Sequence, residues 1–439
     1  MSFGFTVTQT DGLARRGILE TPHGAVQTPA FMPVGTRGAI KAITFRDVED
    51  AGAEIILGNT YHLHLRPGDE LVARAGGLHR FIGWPHPILT DSGGYQVFSL
   101  AAMRNVTEAG VTFRSHLDGA VCALSPETAA DIQARLGSDI AMVLDELVGT
   151  DNRYPITDNR GPDVATSGHR TSGIGHPISD IGHRTSDIGY RISDIGYRLS
   201  DIGYRTSDIG AAMQRSVRWA QRARTRMLQL RADPAIAAAV GVTNPGQAQF
   251  GIIQGGIDPG LRTESVQATV AIGFEGYAIG GLSVGEPVDV MYDLVSHTAP
   301  QLPPGKPRYL MGTGMPDDLV ECVARGIDMF DCVLPTRNAR NGQLLTREGV
   351  LVIKNAQYAE DHRPPDPDCG CYTCRHVSRA YLRHLFAAGE MTGKTLLTVH
   401  NLYFYLDLMA RIREAIGFGS FGKLRQEFHQ TFSRRPQQH

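Results

Sequence analysis

The chain is predicted to fold as an α/β protein, a (β/α)8 barrel of the TIM type with a C-terminal subdomain built on a cysteine cluster. Three observations predict this: eight short apolar runs rich in β-formers, helix-length segments between them, and three cysteines crowded near the end of a 439-residue chain. The runs are Ala30–Val34, Ile55–Asn59, Ile88–Asp91, Ile140–Asp145, Phe250–Gln254, Tyr277–Gly281, Arg308–Gly312 and Met329–Asp331. Nearly continuous apolar runs suit strands buried on both faces, and eight of them alternating with helices favour a closed barrel over an open sheet. The polar residues that end such strands converge on one mouth. Asp91, Asp145, Gln254, Gly281 and Asp331 are therefore expected in a single pocket, although they are scattered along the chain.

Between the runs, residues Pro126–Leu136 read as a helix with Ser125 as N-cap and proline in its first turn. Met213–Arg231 reads as a long amphipathic helix whose arginines (Arg215, Arg218, Arg222, Arg224, Arg226) either track phosphates or, as is more usual, face solvent on the outside of the barrel. From His169 to Gly210 a seven-residue unit is repeated: HRTSGIG, HPISDIG, HRTSDIG, YRISDIG, YRLSDIG, YRTSDIG. A heptad period invites a coiled coil, but each unit has one constant apolar position and at least one glycine, which costs a helix about 1 kcal/mol. So little apolar surface cannot repay ordering. Residues 148–210 are expected to form a flexible insertion after the fourth strand of one barrel domain spanning 1–439.

Composition excludes several classes. Hydrophobic residues make up 42% of the chain and charged residues 20%, and no apolar run approaches the length of a membrane helix. The opening residues Met1–Thr6 show no basic-then-apolar leader, so a cytoplasmic location is expected, with no membrane partner. A net charge of -2 gives no global bias toward nucleic acid, so any RNA contact needs a local patch. Cys369, Cys371 and Cys374 are too close together for mutual disulfides, and His400 follows after a helix-like segment, Ser378–Gly389. Three thiolates and one imidazole complete the closed tetrahedron of a structural zinc site in a subdomain spanning about 365–403. His376 is the rival fourth ligand, though it would strain the same turn.

Two carboxylates stand at strand ends within longer motifs, Asp91-Ser92-Gly93-Gly94-Tyr95-Gln96 and Asp331-Cys332-Val333-Leu334-Pro335-Thr336-Arg337-Asn338-Ala339-Arg340. A carboxylate beside cations fits a nucleophile working on a phosphate-bearing substrate. Singly these residues have ordinary readings, with Asp91 a loop cap, Tyr95 and Met311 core, and Gln254 a backbone-satisfying amide. Together at strand ends they point to a site. With Gly58-Asn59-Thr60-Tyr61-His62-Leu63, Gly251-Ile252-Ile253-Gln254-Gly255-Gly256, Gly280-Gly281-Leu282-Ser283-Val284-Gly285-Glu286 and the Cys/His cluster, the sequence resembles the bacterial queuine tRNA-ribosyltransferase (tRNA-guanine transglycosylase) family from about Phe5 to Phe418.

The resemblance implies roles position by position. Asp331 would be the nucleophile that attacks C1′ of the wobble ribose, and Asp91 the proton handler. Ser92, Asp145, Gln254, Gly281 and Leu282 would bind the base, Tyr95 and Met311 would sandwich it, and Arg337 and Arg340 would contact anticodon nucleotides. It also implies one structural zinc per subunit, a homodimer, and exchange of guanine for 7-aminomethyl-7-deazaguanine in G-U-N anticodon tRNAs (those for Asp, Asn, His and Tyr), a step in queuosine biosynthesis. The chemistry agrees: a carboxylate captures the oxocarbenium-like centre of a breaking glycosidic bond while a second carboxyl group moves a proton. Readings less favoured by the motifs are a barrel hydrolase with a catalytic metal and a silent tRNA-binding subunit. Two departures stand out, Leu147 where the family usually has cysteine and the long insertion. Loop closure costs only about 0.6 kcal/mol per doubling of length, so deleting His169–Gly210 is expected to leave guanine exchange comparable.

Overall fold

The computed structural model describes residues 3–100, 104–147 and 206–432. An antiparallel sheet comes first, β1 (Gly4–Asp11), β2 (Ala14–Thr21) and β3 (Gly24–Thr28). The barrel follows: β4 (Ala30–Gly35), β5 (Ile56–Gly58) and β6 (Ile88–Thr90), then, after a small antiparallel sheet of β7 (Arg104–Thr107), β8 (Gly110–Arg114) and β9 (Val121–Leu124), β10 (Ile140–Met142), β11 (Ala248–Ile253), β12 (Gly276–Ile279), β13 (Arg308–Leu310) and β14 (Met329–Cys332). The hairpin β15 (Gln343–Thr346) and β16 (Gly349–Val352) lies beyond it. All eight expected runs are parallel barrel strands, closed by the pairing of β14 with β4 and joined through β6 and β10. The three antiparallel sheets were not anticipated.

Local chemistry accounts for the helices. Ser125 caps Pro126–Leu136 by accepting from the Thr128 N–H, and Gly137 ends that helix in the left-handed region, as an αL C-cap requires. The Arg-rich helix runs Thr206–Ala232, so it starts before Met213 and absorbs the end of the sixth heptapeptide. The reason is burial: Ile209 is 3% exposed and lies over Gly256, where even a Cβ would approach its side chain to 3.2 Å. A deletion carried through Gly210 would remove this anchor. The rest of the expected insertion, 148–205, falls outside the described residues. The helix arginines are paired with carboxylates. Arg215 pairs with Glu146, Arg218 with Glu108, Arg222 with Glu127, Arg224 with Glu275 and Arg226 with Asp131.

The first sheet is anchored to the N-terminal ends of the strands and so leaves the C-terminal mouth free. Arg15 on β2 reaches buried Asp328, just before β14, and donates to the Pro304 and Lys306 carbonyls at 2.7 and 3.0 Å. On the opposite side of the barrel, before β10, Asp139 accepts from the His23 and His79 rings at 2.8 and 3.0 Å and from the Ile88 N–H. The two imidazoles stack at 3.5 Å with 14° between their planes, so no single ion can lie in both ring planes; this trio is a partly buried hydrogen-bond cluster that ties the turn after β2 to the barrel. Among the described residues no helix is long and apolar enough to cross a membrane.

Candidate active site

The strand ends converge as the sequence predicts. A cavity of about 420 Å³ at the C-terminal mouth is lined by Asp91, Ser92, Tyr95, Asp145, Gln254, Gly281, Leu282, Met311, Asp331 and Arg337. Arg340 is not in that lining; it lies in the same helix, Leu334–Arg340, with its guanidinium donating to the Thr336 carbonyl at 2.8 Å.

Asp91 follows β6 and is gripped by the start of the helix Thr60–Leu65. The Thr60 and Gly93 N–H groups donate to Oδ1 at 2.8 and 3.2 Å, and the Asn59 amide donates to Oδ2 at 2.5 Å. Asn59 also caps that helix through its Oδ1, which fixes the orientation of its amide. Burial pushes the Asp91 carboxyl up to about 7, the charges of Asp331 and Asp145 push the same way, and the two N–H donors partly oppose them. A carboxyl group titrating there can both give and accept a proton at neutral pH.

Asp331, on β14, is held differently. The Tyr309 hydroxyl and the Gly312 N–H both donate to Oδ1, at 2.6 and 2.8 Å, while Oδ2 receives neither bond. Burial raises this carboxyl above its ordinary range, and the tyrosine bond pulls it back. Buried Tyr309 keeps its proton, because burial and the adjacent Asp331 charge lift it well above a normal phenol. One oxygen is therefore anchored and the other is left to a reactant.

Across the cavity, Asp145 forms a relay: Ser92 donates to Oδ1 at 3.1 Å and the Gln254 amide to Oδ2 at 2.6 Å. Gly94 permits it, since a Cβ there would meet the Asp145 carbonyl at 2.9 Å. Tyr95, 43% exposed, and Met311 lie on the same cavity wall system, one accessible and one partly buried.

A family model for queuine tRNA-ribosyltransferase matches residues 10–160 and 186–434. The chain belongs to the queuine tRNA-ribosyltransferase family. The family's members are tRNA-guanine transglycosylases, which are pentosyltransferases. Queuine tRNA-ribosyltransferases of Pelotomaculum thermopropionicum and Nitrosospira multiformis are each 48% identical, over 430 and 428 residues, covering 98% of this chain and 98% of each relative. That of Oleidesulfovibrio alaskensis is 47% identical over 426 residues, covering 97% of this chain and 95% of the relative.

The Cys/His cluster assembles as a four-donor group. Cys369, Cys371 and Cys374 place their Sγ atoms 3.7, 3.5 and 3.2 Å from His400 Nδ1. His400 sits in the helix Met391–Gly417, and its Nε2 donates to the Leu345 carbonyl at 2.9 Å, so Nδ1 presents a lone pair to the thiols. His376 ends the short helix Tyr372–His376 and packs at a tilt against the Tyr372 ring instead. Three sulfurs and one nitrogen converging on a point fit a tetrahedral metal ion with no open position.

Other functional residues carried weaker sequence signals. Tyr309 read only as strand filling, and Asn59 and Thr60 lay in a recognised motif without an assigned role. Arg37 and Lys41, in the loop after β4, lie near Arg337 and Arg340: burial and then those three arginines all depress the Lys41 ammonium, which marks a concentrated positive patch at the mouth. Leu147, the departure from the family pattern, is 8% exposed and lines the cavity.

Proposed function

We propose that this chain exchanges the wobble guanine of G-U-N anticodon tRNAs for 7-aminomethyl-7-deazaguanine through a covalent aspartyl-ribosyl intermediate. The observation that carries the reading is the pair of unlike carboxylates on one cavity: Asp331 with one oxygen unanchored, and Asp91 poised near neutrality. In the first half-reaction the C1′–N9 bond breaks, its electron pair moves into the purine, and Asp331 Oδ2 bonds to C1′. Asp91 supplies the proton that neutralises the departing guanine. In the second half-reaction Asp91 takes a proton from the incoming base, whose nitrogen displaces Asp331 from C1′.

A base must leave the anticodon stack to reach this cavity. Tyr95 and Met311 supply the surfaces to hold it, the Asp145–Gln254 pair and the Gly281–Leu282 backbone read its edge, and the patch of Arg37, Lys41, Arg337 and Arg340 suits the adjoining phosphates. The Cys369, Cys371, Cys374 and His400 group is proposed to hold one structural zinc ion, and it contributes no atom to the cavity lining. The test is incubation with unmodified tRNA and labelled guanine: incorporation supports the reading, and its absence rejects it.

The pH dependence follows from Asp91. Below about 7 it carries the proton that guanine departure needs, and above about 7 it is the base that capture needs. Formation of the covalent complex, measured in a single turnover without incoming base, is therefore expected to fall as pH rises through 7. Capture of added base by the preformed complex should rise over the same interval. Parallel profiles for the two half-reactions would contradict the assignment.

A further inference from the structure

One buried charge has no part in the chemistry just described. Arg262, in the helix Pro259–Ile272, is 0% exposed, and the side chain makes no ion pair among the described residues. Its Nε donates to the Gly256 carbonyl at 2.8 Å, and its Nη2 to the carbonyls of Gly280 and Gly281 at 3.1 and 3.4 Å. Nη1 has no hydrogen-bond partner among the described residues. Burial drags the guanidinium down to about 10, opposed by Glu286, so it is still a cation at neutral pH. Enclosing a charge without a carboxylate partner is destabilising, and a neutral side chain would fill the volume without that penalty.

What the cation touches indicates its use. The 280–281 and 281–282 peptides are trans, the only cis bonds among the described residues being those before Pro29 and Pro67. In a planar trans peptide the N–H points opposite to the C=O. Carbonyls of Gly280 and Gly281 turned back to Arg262 therefore send the Gly281 and Leu282 N–H groups the other way. Gly280, Gly281 and Leu282 line the cavity, whereas Arg262 does not. Polarisation by a charged donor on the carbonyl side strengthens the N–H donors on the other side.

The same loop is held from its far end. Glu286 accepts from the N–H groups of Ser283 and Val284, and Ser283 itself sits at φ +59°. Gly255 makes room for the guanidinium stem, since a Cβ there would come within 2.9 Å of Arg262 Cγ.

We propose that Arg262 is a positioning residue that sets base specificity by aiming and polarising the Gly281 and Leu282 N–H groups toward the exocyclic oxygen of a 6-oxopurine. This rests on the proposed function and deepens it. As the glycosidic bond breaks, the electron pair entering the purine spreads in part onto that oxygen. The two donors then bind the departing base more tightly than the ground state, and they reject a 6-amino purine, which would set a donor against donors.

The test compares equilibrium binding of guanine and 2,6-diaminopurine to the full-length wild type, Arg262→Lys and Arg262→Gln. Both replacements can donate to the carbonyls, but only lysine keeps the charge. Wild type should prefer guanine. Arg262→Gln should lose about tenfold or more of that preference, and Arg262→Lys should retain most of it at pH 6. Because burial depresses a lysine's pKa, the preference in Arg262→Lys should decay as pH is raised to 9, beyond any change in wild type. Should Arg262→Gln fail to fold, that differential pH decay decides alone. Equal loss of both bases in the variants, unchanged preference in Arg262→Gln, or a flat profile in Arg262→Lys overturns the proposal while leaving wild-type exchange intact. A wild type that neither exchanges guanine nor binds it in preference overturns the proposed function as well.

Discussion

Replacing Asp331 by Asn will abolish guanine exchange, with a loss of at least about 10³-fold, as expected when a covalent nucleophile is removed from its supporting groups. Asparagine is nearly isosteric, and the anchored side of the residue is an acceptor for Tyr309 and Gly312, a role the amide oxygen can keep. The amide nitrogen would then stand where Oδ2 stands, with no pair to offer C1′. Stability should change little or improve, because a carboxylate destabilised by burial is replaced by a neutral group. The decisive measurement is a denaturing gel of enzyme mixed with tRNA. A covalent band is expected with wild type and none with Asp331→Asn, while melting temperatures remain similar. A band in the variant would move the nucleophile elsewhere, with Asp91 the first alternative.

Removing the metal ion proposed at the Cys/His group is expected to have the second largest effect. Ligation at a closed Cys3His site contributes about 10 kcal/mol or more to the structure it holds. His400 shares its helix with Asn401, which accepts from the Leu345 N–H and donates to the Pro335 and Gln343 carbonyls, and with Tyr405, whose hydroxyl donates to the Gly314 carbonyl. Gly314 lines the active-site cavity, and Pro335 begins the helix that carries Arg337. Chelation, or Cys371→Ser, should therefore release one zinc ion per chain, lower the melting temperature by roughly 10 °C or more and abolish exchange together with helical signal. A chelated protein that stays folded but inactive would instead indicate a catalytic metal.

The barrel was legible because its strands are buried on both faces, which writes an unbroken apolar run into the sequence, and because most of the runs end in a polar residue or a glycine. Asp91, Asp145, Gln254 and Asp331 could be placed in one pocket for that reason. The antiparallel sheets were not legible: β1 is largely exposed, and β8 and β9 mix exposed and buried residues, so none of them writes an unbroken apolar run into the sequence. Arg262 and Tyr309 were missed for another reason. Their importance lies in what they touch in neighbouring elements, 6 to 22 positions away, which neither periodicity nor a local motif records. The start of the Arg-rich helix was misplaced because the Ser-Asp-Ile-Gly of the last heptapeptide matches its predecessors in sequence, so the sequence carries no sign of the burial of Ile209 over Gly256.

The seam that closes the barrel pairs Ala30 with Met329, and Arg15 meets Asp328 across 313 positions. During synthesis the N-terminal sheet leaves the ribosome long before its counterpart exists. At about 5–20 residues per second it must wait on the order of 15–60 s before Asp328 emerges. Half a barrel with an uncovered edge persists for that time, which makes the interval after the first strands appear the period of greatest aggregation risk. A circular permutant that begins near residue 300 would only move the seam to the pairing of Tyr277 with Arg308, which it places at opposite ends of the new order, so it should lose at least as much to insoluble material as the natural chain order.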